Sequence, residues 1–235
     1  IDFLRFWDYN SCMQEYHDLL NLVLKKGKWK NNRTGIDCLT VAGCMFEHEM
    51  SNGFPLLTTR KLPYKSTKVE LEGFIKGITS KNWYKERDCH FWDFWCNPQK
   101  VGYGTDEQTK KKMANENDLG LIYGSQWRDF HDPNAGYNID NFAEKGIDQF
   151  KRLVNTLKTN PNDRRMLCLA WNPLALDYQA LPACHCLFQV TVINNKLNLA
   201  WYQRSCDAVL GIPANIASYA TLLHLLAKES NLEEG

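Results

Sequence analysis

The chain has 235 residues, 44% of them hydrophobic and 23% charged, which suits one globular domain with room for a sizeable core. Its 28 basic and 27 acidic residues nearly cancel, so no global field favours nucleic acid or an acidic membrane surface, and any phosphate ligand must be held by a local arginine cluster. No apolar run reaches the length of a membrane span and no signal-peptide pattern opens the chain, so a soluble protein is expected.

In chain order, Leu19, Leu20, Val23 and Leu24 recur at helical spacing, and Lys25, Lys26 and Gly27 supply a basic last turn and a stop, which predicts a helix over 16–24. From 38 to 50 the pattern turns toward alternation with β-branched residues and predicts a strand. Residues 69–75 are again helix-like. The stretch 97–117, with Gly102, Gly104 and lysines at 110 to 112, reads as a solvated loop or insertion whose lysines simply face water. A helix is predicted over 147–157, and strands over 165–171, 186–193 and 197–203, all rich in branched and aromatic residues. A long apolar helix over 216–228 follows. There is no internal repeat, low-complexity tract or interdomain linker, so 1–235 reads as a single domain of α+β or mixed α/β class, without the glycine fingerprint of a dinucleotide fold. Because the chain starts at Ile1 without an initiator Met and stops at Gly235 just after a strong helical segment, a trimmed piece of a longer product is expected.

The nine cysteines, at positions 12, 38, 44, 89, 96, 168, 184, 186 and 206, have neither the paired spacing of a zinc site nor the density of a disulfide scaffold. A reducing, cytoplasmic setting fits that usage. One of them stands out: Leu181-Pro182-Ala183-Cys184-His185-Cys186 puts a thiol beside an imidazole at the mouth of a predicted strand, where a proline restricts the backbone. Taken alone, Cys184 reads as a buried small hydrophobe, the usual fate of a free cysteine. A metal site is the second competitor, but adjacent strand residues point to opposite faces and do not readily chelate one tetrahedral ion, so no metal is expected.

A thiol reacts as its thiolate, so a nucleophilic Cys184 needs nearby positive charge, best supplied by arginine, which keeps its proton. Arg164 and Arg165 follow Pro161-Asn162-Asp163, Arg204 lies in Gln203-Arg204-Ser205-Cys206-Asp207, and Arg33 lies in Asn32-Arg33-Thr34-Gly35. Each alone is more often a surface charge; four in turn-like or strand-end settings suggest a phosphate cradle.

The run Gln203-Arg-Ser-Cys-Asp-Ala-Val-Leu-Gly-Ile-Pro-Ala-Asn-Ile-Ala-Ser-Tyr-Ala220 resembles the substrate-binding signature of thymidylate synthases, and 181–185 resembles their nucleophile segment at the expected distance upstream. So do Phe54-Pro-Leu-Leu-Thr-Thr-Arg60, Trp92-Asp-Phe-Trp95, Asp118-Leu-Gly-Leu-Ile-Tyr-Gly-Ser-Gln-Trp-Arg128 and Asp163-Arg-Arg-Met-Leu-Cys-Leu-Ala-Trp-Asn172, all in family order. The resemblance implies a mixed β-sheet flanked by helices, with one sheet face forming a homodimer interface.

It also implies roles. Cys184 would add to C6 of deoxyuridylate, making C5 able to attack the methylene of the co-substrate 5,10-methylenetetrahydrofolate. Arg33, Arg204 and Ser205 would bind the 5'-phosphate, and Arg164 with Arg165 would reach the phosphate of the partner subunit. Asn215 would read the uracil edge, since a carboxamide both donates to O4 and accepts from N3–H, whereas cytosine reverses that pattern. Glu70 would organise water for proton transfer with Tyr123 and His185 in support, Gln203 would contact the nucleotide, and Arg204 and Asp207 complete the catalytic set. Trp92, Trp95, Leu181, Asp207, Leu210, Gly211 and Ala214 match the folate-facing wall.

Departures from the family pattern are Ala214 in place of a phenylalanine, Ala183 in place of a proline before the nucleophile, and Glu72-Gly73 in place of a more apolar helix segment, and a lack of the family's C-terminal region after Gly235 is expected. Three functions follow. One is methylation, in which hydride reduces a methylene intermediate. The second is hydroxymethylation, in which water takes the place of hydride. The third is a non-catalytic nucleotide-binding or dimerising fragment. Retained Trp92, Trp95 and Leu181 argue for a dry site and methylation, while Ala214 opens space and argues for water.

Overall fold

The computed structural model describes residues 11–32, 35–133 and 146–235. Helix α1 (Ser11–Lys26) buries Tyr16 and Leu19 and ends on Lys25, Lys26 and Gly27, as its apolar spacing predicts. A small antiparallel pair follows, β1 (Lys28–Lys30) with β2 (Cys38–Thr40). The strand expected over 38–50 is only these three residues long. Beyond Thr40 the chain is irregular, and Ala42, Gly43, Cys44 and Met45 are exposed, so the alternation finds no partner strand to pair with.

Helix α2 (Tyr64–Lys76) stops at Gly77, which takes the left-handed φ of 73° that a helix end needs. The departure at Glu72-Gly73 has a physical account. A Cβ on Gly73 would lie 2.3 Å from the ring of Tyr84, a residue of helix α3 (Lys81–Lys85) with 0% exposure, so the glycine makes room for a buried aromatic. Glu72 itself is exposed and pairs with Lys76 one turn on.

The segment 97–117 contains helix α4 (Glu107–Asn115), against the expectation of a loop. Asp106 caps it by accepting the Thr109 amide at 2.9 Å, Met113 is buried, and the lysines form its wet face. Lys81, 1% exposed, donates to the carbonyl of Met113 at 2.7 Å near its C-terminal end. Helix α5 (Tyr123–Arg128) is buried over its first five residues and carries no amphipathic period, which is why it is illegible from pattern. Helix α6 (Gln149–Thr159) is the amphipathic helix expected near 147–157.

Among the described residues the main sheet runs β3 (Leu167–Leu169), β4 (His185–Ile193), β5 (Lys196–Gln203), β6 (Glu233–Glu234), antiparallel except for the parallel β5–β6 edge. Phe188 faces Cys168 and Trp201 across the ladder and, with Val190 and Leu197, turns inward onto α7 (Ile212–Glu229). Trp201 stacks on Tyr219 of that helix at 4.9 Å. The opposite sheet face leaves Leu167, Ile193 and Tyr202 exposed. The arrangement is α+β, with α7 buried along most of its length because it touches both hydrophobic clusters.

Candidate active site

Fourteen residues line a cleft of ≈ 240 Å³ at the end of the sheet where β4 begins, β5 ends and α7 begins. Of the residues singled out from sequence, Glu70, Trp92, Tyr123, Leu181, Cys184, His185, Gln203, Ser205, Asp207, Gly211 and Asn215 are among them. They come from six places in the chain that only packing brings together.

The backbone of 182–184 is held at every polar atom that matters to the thiol. The Arg204 guanidinium donates from Nε to the Ala183 carbonyl and from Nη2 to the Pro182 carbonyl, both at 2.8 Å. The Arg204 amide donates to the Cys184 carbonyl at 3.0 Å. The Cys184 amide donates to the Tyr123 hydroxyl at 2.8 Å. In this setting Arg204 Nη2 lies 3.7 Å from the Cys184 sulfur, so a permanent positive charge stands beside the thiol, while the same guanidinium sits 5.2 Å from the Trp171 ring centre. Cys184 lies just ahead of β4 rather than in it, and the register slips between His185 and Leu187. Because Cys184 precedes the strand, the alternation expected of 184–186 fails at its first step, and Cys184 and His185 face the same cleft.

Burial shapes the other titratable groups. His185 is pushed down to about 4 by enclosure, opposed by a hydrogen bond with Asn215, so its imidazole is neutral at pH 7. Glu70 is only half-buried by area, but its carboxylate is enclosed by protein, and that desolvation raises it from 4.5 to about 7 against the Trp92 indole N–H, which donates at 2.9 Å. Tyr123 is held well above the ordinary phenol range, first by burial and then by the Cys184 thiol.

Asp207 accepts the Val209 and Leu210 amides at 2.8 and 2.7 Å and so shapes the turn that delivers α7. Gln203 accepts the Trp201 indole N–H at 3.0 Å. Several expected site residues do not line the cleft. Trp95 stacks on Tyr103, Leu210 is 63% exposed, and Ala214 sits half-buried in the first turn of α7. Arg164 and Arg165 are exposed in the turn before β3 and are not part of the cleft lining, and Arg165 pairs with Asp163 at 2.8 Å. Arg33 lies outside the described residues.

Phe74, Phe91 and Cys206 line the cleft without having been foreseen. Phe74 is one helical turn from Glu70 on α2, and Phe91 precedes Trp92, so spacing from known partners could have found both. Among the described residues no group of three or more His, Cys, Asp or Glu side chains could hold a metal ion, no helix is long and apolar enough to cross a membrane, and the cysteines from Cys38 to Cys206 are all free. A family model described as thymidylate synthase matches residues 14–235, and the chain belongs to the thymidylate synthase family.

Proposed function

We propose that the chain transfers a one-carbon unit from 5,10-methylenetetrahydrofolate to C5 of deoxyuridylate and reduces it to a methyl group, with Cys184 as the covalent nucleophile. Family membership carries the coarser part of this reading, a one-carbon transferase of nucleotide biosynthesis. The observation that supports the finer part is the Cys184 sulfur, 3.7 Å from Arg204, opening into a cleft that also holds Glu70 and Asn215.

In this reading the sulfur's electron pair forms the bond to C6, and the C5–C6 π pair moves toward O4, leaving C5 nucleophilic. Asn215 orients the ring by donating to O4 and accepting from N3–H, and neutral His185 holds the Asn215 amide. Glu70, near pH neutrality in its titration, passes protons through water between ring and solvent. Ser205, Gln203 and Arg204 hold the nucleotide, and Asp207 and Gly211 shape the adjoining wall. The apolar wall of Phe91, Trp92 and Leu181 beside the thiol suits a flat heteroaromatic ring and keeps water from it. When bound there, the folate supplies the carbon and the hydride.

A second copy fits the exposed outer face of the sheet, where Leu167, Ile193 and Tyr202 lie open and Arg164 and Arg165 stand ahead of β3. Arg164 and Arg165 would then serve the partner's phosphate. Hydroxymethylation is the second reading, favoured by the exposed Leu210 and the small Ala214, which precede Gly211 and Asn215 of the cleft lining in the chain.

Cys184→Ser should abolish turnover while leaving deoxyuridylate affinity within about threefold, because nucleophile and phosphate contacts are separate groups. Turnover near the wild-type rate in that variant removes the proposal. The absorbance of dihydrofolate, formed in methylation alone, separates the two readings.

A further inference from the structure

The nucleophile's neighbour Ala183 is 1% exposed, so its N–H must be paired inside the protein. Its partner is the side chain of Gln179, whose Oε1 accepts that N–H at 3.1 Å. Gln179 is itself 2% exposed, and its Nε2 has no hydrogen-bond partner among the described residues. A buried carboxamide that leaves its own donor unpaired is an expensive way to fill space. The N–H of Ala183 also decides which way the amide faces, since the reversed orientation would oppose two donors.

The side chain starts from a rigid platform. Gln179 forms a bridge with Gly120, flanked by hydrogen bonds from the Leu121 amide to the Tyr178 carbonyl at 2.9 Å and from the Ala180 amide to the Leu119 carbonyl at 3.0 Å. The approach is so close that a Cβ on Gly120, whose φ is 69°, would lie 1.8 Å from the Tyr178 oxygen. Thus two consecutive amides of the nucleophile segment are fixed by side chains from different elements, that of Ala183 by Gln179 and that of Cys184 by Tyr123.

We infer that Gln179 is a positioning residue for the Cys184 thiol: its amide, pinned to the Gly120 bridge, accepts the Ala183 N–H and so sets the backbone from which the sulfur projects. A proline at 183 would dispense with this device, having no N–H to place and a ring that holds φ near about −65°. Ala183 and Gln179 therefore form one unit, the alanine creating a buried donor and the glutamine answering it. The inference rests on the reading of Cys184 as nucleophile.

The test is the rate at which Cys184 forms a covalent adduct with 5-fluorodeoxyuridylate and 5,10-methylenetetrahydrofolate, followed by intact mass, beside the deoxyuridylate dissociation constant and the urea midpoint. Gln179→Met removes the acceptor and the unpaired Nε2 together, exchanging one buried orphan for another, so the midpoint should barely move. Adduct formation should slow by about tenfold at unchanged nucleotide affinity, because a misplaced nucleophile loses rate rather than binding. Adding Ala183→Pro, which deletes the orphaned N–H, should return the rate to within about twofold of wild type. If Gln179→Met does not fold, Gln179→Asn keeps the amide but withdraws it by one methylene and should show the same slowing. Adduct formation at the wild-type rate in either variant overturns the inference, as does slowing that falls in step with nucleotide affinity or that Ala183→Pro fails to relieve. No adduct on Cys184 in the wild-type chain instead overturns the nucleophile reading beneath it.

Discussion

Glu70 offers a prediction in which stability and chemistry pull in opposite directions. Its carboxyl titrates near 7 in the folded chain against 4.5 when unperturbed, so between those values the native state holds a proton that the unfolded state has released. Stability therefore falls as pH rises from 4.5 to about 7 and is level above that. At about 1.4 kcal/mol per unit, enclosing the carboxyl costs up to about 1 kcal/mol at pH 5, where it stays protonated in the folded chain, and about 3 kcal/mol at pH 8, where it is charged. Glu70→Gln keeps an oxygen to accept the Trp92 indole N–H, matches the volume, and removes the titration. It should be more stable than wild type by about 3 kcal/mol at pH 8 and by about 1 kcal/mol at pH 5, while losing about 10²-fold or more in turnover. Urea unfolding followed by tryptophan fluorescence at the two pH values measures the gap. The same gap at both, within about 0.5 kcal/mol, would refute the buried-carboxylate reasoning.

Asn215→Asp should move the ratio of kcat/KM for deoxyuridylate over deoxycytidylate toward the cytosine nucleotide by about tenfold or more, because a carboxylate repels uracil O4 while a protonated or water-linked carboxyl serves the cytosine pattern; an unchanged ratio means that the ring is read elsewhere. Mixing Cys184→Ser chains with chains carrying both Arg164→Ala and Arg165→Ala should restore up to about a quarter of wild-type turnover through heterodimers with one intact site, as expected for an isologous dimer that shares its site. No recovery after subunit exchange would place those arginines in service of their own chain.

Much of this protein is legible residue by residue. Helices α1, α6 and α7 announce themselves through apolar spacing and stops, and β4 and β5 through branched and aromatic runs, because one face of each meets the core and the other meets water or a thinner layer. Helix α4 was hidden by its lysines, although the Asp106 cap was there to be read, and α5 was hidden because burial on all sides erases the period.

At the site, local sequence marks Cys184 and Arg204, each in a short segment with distinctive neighbours, and the family resemblance adds Asn215. What those groups do to one another is a tertiary matter. That Glu70 holds its proton near neutrality, that His185 is neutral, and that Cys184 and His185 share a cleft despite being adjacent all depend on enclosure and on where β4 begins. The pairing of Gln179 with Ala183 lies only four residues apart in sequence, yet nothing in the spacing reveals it. Hydrogen-bond geometry and desolvation depend on which atoms close the cavity, and those come from α2, α5, β4, β5 and α7 together.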